Sequence, residues 1–243
     1  MSDIVAIVGA GPGLGAAVGR RFAREGCAVA LLARNPETLG PVEAGVKRAA
    51  GEAATPGRVL ALPCDATDGQ SAAEAFRRVR ASVGAPSVLV YNAGAFARGG
   101  ILDLDPGRFE ESWRANCLGA LLCAQQVLPD MVKAKRGTIL LSGATASLRG
   151  AALFASLAVG KFGLRALAQS MAREFGPQGV HVAHVVIDGQ IDSARVRERA
   201  GAGRADVSFL QPDALAEQYW QLHRQDPTVW TLELDVRPAV EKF

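Results

Sequence analysis

The chain has 243 residues, 49% of them apolar and 21% charged, with a net charge of +3. This balance suits a single α/β core with both sheet faces buried and excludes a disordered chain. Lys and Arg are scattered rather than gathered into a run with interleaved aromatics, which argues against nucleic acid as a partner. Short runs of Val, Ile and Leu alternate with amphipathic stretches, the pattern of βαβ units around a parallel sheet. In chain order the expected elements are a strand at Ile4–Val8, a helix at Leu14–Glu25, a strand at Ala28–Ala33 and a helix at Glu37–Ala49. A strand at Val59–Pro63, a helix at Gly69–Val83 and a strand at Val88–Tyr91 follow, then one long helix at Pro106–Ala134. The last part reads as a strand at Thr138–Ser142, a helix at Ala151–Phe175, a strand at Val180–Ile187, a helix at Pro212–Leu222 and a strand at Trp230–Asp235. Asp105-Pro106 and Gln211-Pro212-Asp213 suit helix starts, because proline in the first turn gives up an N–H that has no partner there. The polar stretch from Asp192 to Asp206 reads either as a mobile helix-loop over a site or as a passive surface insertion. The expectation is one doubly wound domain over 1–243, with a seven-stranded parallel sheet flanked by helices.

The first strand runs into Gly9-Ala10-Gly11-Pro12-Gly13-Leu14-Gly15 and then directly into a helix. Glycines in that context permit a tight turn, a close backbone approach to a pyrophosphate and tight helix packing, with the helix N-terminus facing the anion. Further motifs follow in order: Cys64-Asp65-Ala66-Thr67-Asp68 after the third strand, Asn92-Ala93-Gly94 after the fourth, Asn116 midway along the long helix, and Lys161-Phe162-Gly163-Leu164 on the next. Taken singly, Asp65 could be a helix cap, Asn116 a buried amide and Lys161 a solvated charge. Together they resemble the short-chain dehydrogenase/reductase family over nearly the whole chain. The resemblance implies a Rossmann-type fold and an NAD(P) site formed by Gly9, Gly11, Gly13, Leu14, Gly15, Asp65, Ala66, Asn92, Ala93, Gly94 and Lys161. Gly189, Ile191 and Ser193 follow the sixth strand, where the family's chain passes the nicotinamide and the phosphates. At the end of the second strand Ala33-Arg34 stands where a carboxylate would select the ribose diol of NAD. An Arg there offers a planar donor fork for a 2′-phosphate, so NADP(H) is favoured over NAD(H); the plainer reading is a surface Arg opening a turn.

The resemblance fails at the proton-handling residues. Counting four residues back from Lys161, where the family has its Tyr, gives Leu157, and the family's Ser position falls on Ala144. Related enoyl reductases place the Tyr seven residues before the Lys, and that position is Phe154. Asn116 and Lys161 remain as catalytic candidates. Asp188, in Asp188-Gly189 at the end of the sixth strand, joins them as a substitute proton donor, although it is a turn residue first. His184 reads as buried structure. Ser142, Thr145 and Ser156 are hydroxyls that could orient a substrate.

Two functions fit. One is an NADP(H)-dependent oxidoreductase for a small, apolar carbonyl, hydroxyl or alkene substrate, with a proton donor other than Tyr. The other is a cofactor-binding sensor, scaffold or inactive partner without turnover. The cysteines Cys27, Cys64, Cys117 and Cys123 have neither CxxC nor zinc-ligand spacing, so core packing in a reducing compartment and no metal are expected. The longest apolar tract, Ala151 to Val159, is far shorter than the roughly 20 residues of a membrane span. Nothing near Met1 resembles an export signal, so a cytoplasmic protein is expected. Apolar positions on the two long helices exceed what one sheet face covers, which points to a homodimer or homotetramer.

Overall fold

Segments that are apolar at every position need cover on both faces, and a parallel sheet between two helical layers supplies it. The computed structural model describes residues 2–193, 196–198 and 205–241. Its strands are β1 (Ile4–Val8), β2 (Ala28–Ala33), β3 (Val59–Pro63), β4 (Val88–Tyr91), β5 (Gly137–Ser142), β6 (Val180–Ile187), β7 (Gln190–Ile191), β8 (Phe209–Leu210) and β9 (Glu233–Val236). The helices are α1 (Leu14–Arg24), α2 (Pro36–Ala50), α3 (Gly69–Val83), α4 (Pro106–Trp113), α5 (Gly119–Ala134), α6 (Ala155–Phe175) and α7 (Pro212–His223). Seven strands form one sheet in the order β3-β2-β1-β4-β5-β6-β9, with every pairing parallel. Phe22, Val46 and Tyr219, from α1, α2 and α7, bury one face. Phe76, Val127 and Leu164, from α3, α5 and α6, bury the other.

β1 pairs with β2 on one side and β4 on the other, so the strand order reverses there and opens a crevice at their carboxyl ends. Short polar caps set the helices around it. Asn35 Oδ1 accepts Glu37 N–H at 2.9 Å to start α2, and Asp68 Oδ1 accepts Gln70 N–H at 2.7 Å to start α3. Such caps are worth about 1 kcal/mol each. No helix among the described residues is long and apolar enough to cross a membrane.

Three expected elements are corrected. The single helix over Pro106–Ala134 is interrupted by a π-helical turn at Arg114–Leu118, where Asn116 Nδ2 donates to Ser112 O at 2.8 Å and to Ala95 O at 2.7 Å. A π-turn of this kind re-aims a side chain inside an otherwise regular helix. The helix expected from Ala151 begins at Ala155, because Gly99 N–H takes the Leu153 carbonyl at 3.2 Å and Leu153 adopts a left-handed φ of 70°. The last strand starts at Glu233 rather than Trp230, whose ring stacks on His181 at 5.0 Å. The pair β7–β8 was not anticipated. Much of 192–206, read as a mobile helix-loop or a surface insertion, lies outside the described residues.

Candidate active site

The crevice between β1 and β4 is a cleft of about 300 Å³. Of the residues expected to bind cofactor, Gly9, Gly11, Arg34, Asp65, Ala66, Asn92, Ala93 and Gly94 form its wall. Gly9 has a φ of 86°, and a Cβ on it would lie 2.4 Å from Ala93 N, so the first glycine turn closes directly on the chain after β4. Asn92 Nδ2 donates to Gly9 O at 3.1 Å and fixes that approach. Gly13 caps α1 with no side-chain oxygen, and the first-turn amides of a helix have no intrahelical acceptor. The backbone at Gly13, Leu14 and Gly15 is therefore available to an anion.

Asp65 Oδ1 accepts Thr67 N–H at 2.9 Å and Thr67 Oγ1–H at 2.8 Å. Burial works against this carboxylate, but Thr67 and the nearby Arg34 guanidinium outweigh it and hold the carboxyl below its usual value. Arg34 itself is exposed at the cleft edge. Gly189 follows β6, Ile191 pairs with Leu210 in the small sheet, and Ser193 Oγ accepts Val196 N–H at 3.2 Å. These three are not part of the cleft wall.

Asn116 and Lys161 lie next to Gly94 but are not part of the cleft wall. A Cβ on Gly94 would lie 2.8 Å from Asn116 Oδ1 and 3.8 Å from Lys161 Nζ, so both groups stand behind that glycine. Asn116 is buried, and its Oδ1 has no hydrogen-bond partner among the described residues. Lys161 Nζ donates to Ser142 O at 2.7 Å, and burial pulls its pKa down to about 8. The amine is held one residue before the loop that follows β5.

One turn back on α6, Leu157 is half-buried, and Ala144 sits half-buried on the β5–α6 loop. Both tyrosine hydroxyls are engaged elsewhere. Tyr91 borders the cleft but donates to Ala115 O at 2.7 Å, while Tyr219 OH and Ser142 Oγ share a buried bond of 2.6 Å. Burial pushes both phenols above their usual pKa, Tyr219 despite its Ser142 bond. Asp188 is buried, accepts the Thr145 hydroxyl proton and pairs with Arg237 Nη1 at 3.2 Å. Phe154 stacks on Phe96 with centroids 5.0 Å apart, and Ser156 Oγ donates to Ala97 O at 2.6 Å. These contacts fasten the β4–α4 and β5–α6 loops together.

Residue reading missed one group. His184 Nδ1 lies 3.0 Å from Glu233 Oε2, and Glu233 takes both Nε and Nη2 of Arg165 at 2.6 and 2.8 Å. Arg165 stands one helical turn after Lys161, but the β6–β9 register that sets Glu233 beside His184 leaves no mark in the local sequence.

Sheet order, glycine turn and cleft define a doubly wound α/β protein of Rossmann type. The chain belongs to the short-chain dehydrogenase family, whose model matches residues 3–203. A fatty acyl-CoA reductase from Acinetobacter baylyi is 30% identical over 70% of this chain, which spans 57% of that relative. The 3-oxoacyl-[acyl-carrier-protein] reductase MabA of Mycobacterium bovis is 29% identical over 81% of this chain and 72% of its own length. Among solved structures, a short-chain dehydrogenase from Rhodopseudomonas palustris is 35% identical with a TM-score of 0.81, covering 97% of this chain and 98% of its own. A metagenomic short-chain oxidoreductase in complex with NADP is 29% identical with a TM-score of 0.82, covering 98% of both chains. The relatives are oxidoreductases, and the family binds NAD(P).

Proposed function

We propose that this protein is an NADP(H)-dependent oxidoreductase for a small, apolar carbonyl, hydroxyl or alkene substrate, and that it works without a tyrosine as acid. The observation that carries the reading is the buried Lys161 amine and the unpartnered Asn116 Oδ1 standing together behind Gly94 of the cleft wall. Buried polar groups left open in this way suit a bound ligand or an ordered water. The wall fits a dinucleotide: Gly9 against Ala93 leaves a flat backbone surface, the α1 N-terminus faces an anion, and Arg34 offers its fork at the β2 end. The NADP complex of the metagenomic oxidoreductase supports the same choice.

When bound, the nicotinamide supplies or accepts a hydride. The chain's own part is to hold the reacting oxygen and handle its proton. Lys161 keeps an ammonium near that oxygen, and Asn116 Oδ1 can accept from a water. Asp188, paired with Arg237 and accepting from Thr145, serves better to orient Thr145 than to donate a proton. The exposed Phe96 and Leu153 and the half-buried Phe154 and Leu157 make the substrate side apolar.

A second reading, a cofactor-binding protein without turnover, draws on Leu157 and on the two occupied tyrosine hydroxyls. NADPH oxidation with a panel of ketones, quinones and enones, run beside calorimetric NADPH binding, decides. Binding with oxidation of at least one acceptor supports the enzyme; binding with none supports the second reading.

A further inference from the structure

His184 is fully buried in mid-sheet, yet its Nε2 has no partner among the described residues. Its other nitrogen meets Glu233 at 3.0 Å. The Arg165 guanidinium keeps that carboxyl below its usual value, so Glu233 is ionised and can only accept. The proton on His184 therefore sits on Nδ1, and Nε2 is a bare acceptor. Burial lowers the pKa of His184 more than Glu233 raises it, so the ring stays neutral.

The bare nitrogen faces a definite place. A Cβ on Gly143 would fall 2.2 Å from His184 Nε2 and 2.9 Å from Ser147 Oγ, so the imidazole and the Ser147 hydroxyl press on the same backbone atom. Only glycine leaves room there. Ser147 is also fully buried; its Oγ accepts Ala144 N–H at 3.1 Å, and its own proton has no acceptor among the described residues. An acceptor lacking a donor and a donor lacking an acceptor thus flank one glycine, a complementary pair that burial makes costly to leave apart.

We infer that Arg165, Glu233 and His184 form a positioning chain whose working end, His184 Nε2, accepts from the Ser147 hydroxyl through one buried water, and so sets the Gly143–Ser147 turn. That turn begins next to Ser142, whose carbonyl holds Lys161, and it carries Ala144 and Thr145. Arg165 is one turn from Lys161 on α6, so a single helix anchors both ends of the arrangement. His184 and Glu233 are positioning residues: they act on Lys161 through the turn and do not touch substrate. The functional part of this inference rests on the proposed redox role of Lys161; the tautomer and the Ser147 bridge stand without it.

Imidazole nitrogen NMR on the ¹⁵N-labelled full chain tests the chain, since it holds only 3 histidines. At neutral pH His184 is expected as the Nδ1–H tautomer with a hydrogen-bonded, unprotonated Nε2. Ser147→Ala should move the Nε2 signal toward that of a free acceptor while leaving His181 and His223 in place. Glu233→Gln keeps the shape, but Arg165 claims its carbonyl and turns the amide N–H toward the ring, so the tautomer should invert. With an acceptor substrate found, Glu233→Gln should also lower kcat for NADPH oxidation at least tenfold with NADPH affinity changed less than twofold. A protonated Nε2 in the parent, or an Nε2 signal indifferent to Ser147→Ala, overturns the inference whether or not the protein proves to be an enzyme. Inversion of the tautomer without loss of kcat overturns the positioning role alone.

Discussion

At the scale of single residues, Lys161 is the sharpest test of the site. Burial holds its pKa at about 8, against 10.5 for the ordinary side chain. Between those values the unfolded chain binds a proton that the folded chain does not, so stability rises with pH across that window. Below it the full cost of the buried ammonium stands. The shift corresponds to roughly 3 kcal/mol. Urea unfolding of the parent and of Lys161→Met should accordingly show the parent gaining on the variant from pH 8 to pH 10.5, and a difference flat with pH would show an amine that is not desolvated. Arg34→Ala should weaken NADPH binding about tenfold, about 1.4 kcal/mol, and leave NADH within twofold. Equal affinity of the parent for the two cofactors would reject the NADP assignment. The apolar neighbours give a third case. Leu157→Tyr with Ala144→Ser puts a phenol one turn from the Lys161 ammonium and a hydroxyl on the facing loop, and ketone reduction should rise above that of the parent. Leu157 is packed as an aliphatic side chain, so overpacking will limit the gain. Brisk reduction of simple ketones by the unaltered protein would show instead that a proton donor is already in place.

At the scale of elements, the strands and most helices were legible because each carries its own apolar pattern, with an Asn or Asp cap marking the start of α2, α3 and α4. The glycine turn was legible because strand, glycines and helix are contiguous in the chain. What sequence could not show were features made by contacts between distant segments. The π-turn at Asn116 arises from its bonds to Ser112 and Ala95, and the late start of α6 follows from Leu153 meeting Gly99. The pairing of His184 with Glu233 depends on strand register between segments 49 residues apart. The helices also leave apolar side chains uncovered: Leu121 on α5 and Val159 and Phe162 on α6 are 37%, 46% and 42% exposed. We expect these two helices to pair between copies of the chain. Light scattering at micromolar concentration should give a mass at least twice 25.4 kDa, and a monomer mass would reject the pairing.

At the scale of the molecule, the strand order puts Arg34, Asp65, Asn92 and Lys161 along one edge of the sheet, although they are spread over much of the chain. The sequence motifs foretold this edge because they fall at strand ends in the order that a doubly wound fold brings together. They did not foretell what handles the proton, since Leu157 and Ala144 remove the residues by which the resemblance would have named it. Redox chemistry at the Gly94 side of this cleft, with Lys161 taking part, requires that bound cofactor be consumed. The most direct measurement is NADPH oxidation at saturating cofactor by parent and Lys161→Met over a panel of quinones, enones and ketones. Turnover of at least one acceptor by the parent and at least a tenfold loss in the variant are expected, whereas cofactor that binds the parent and is never consumed would contradict a redox role for this site.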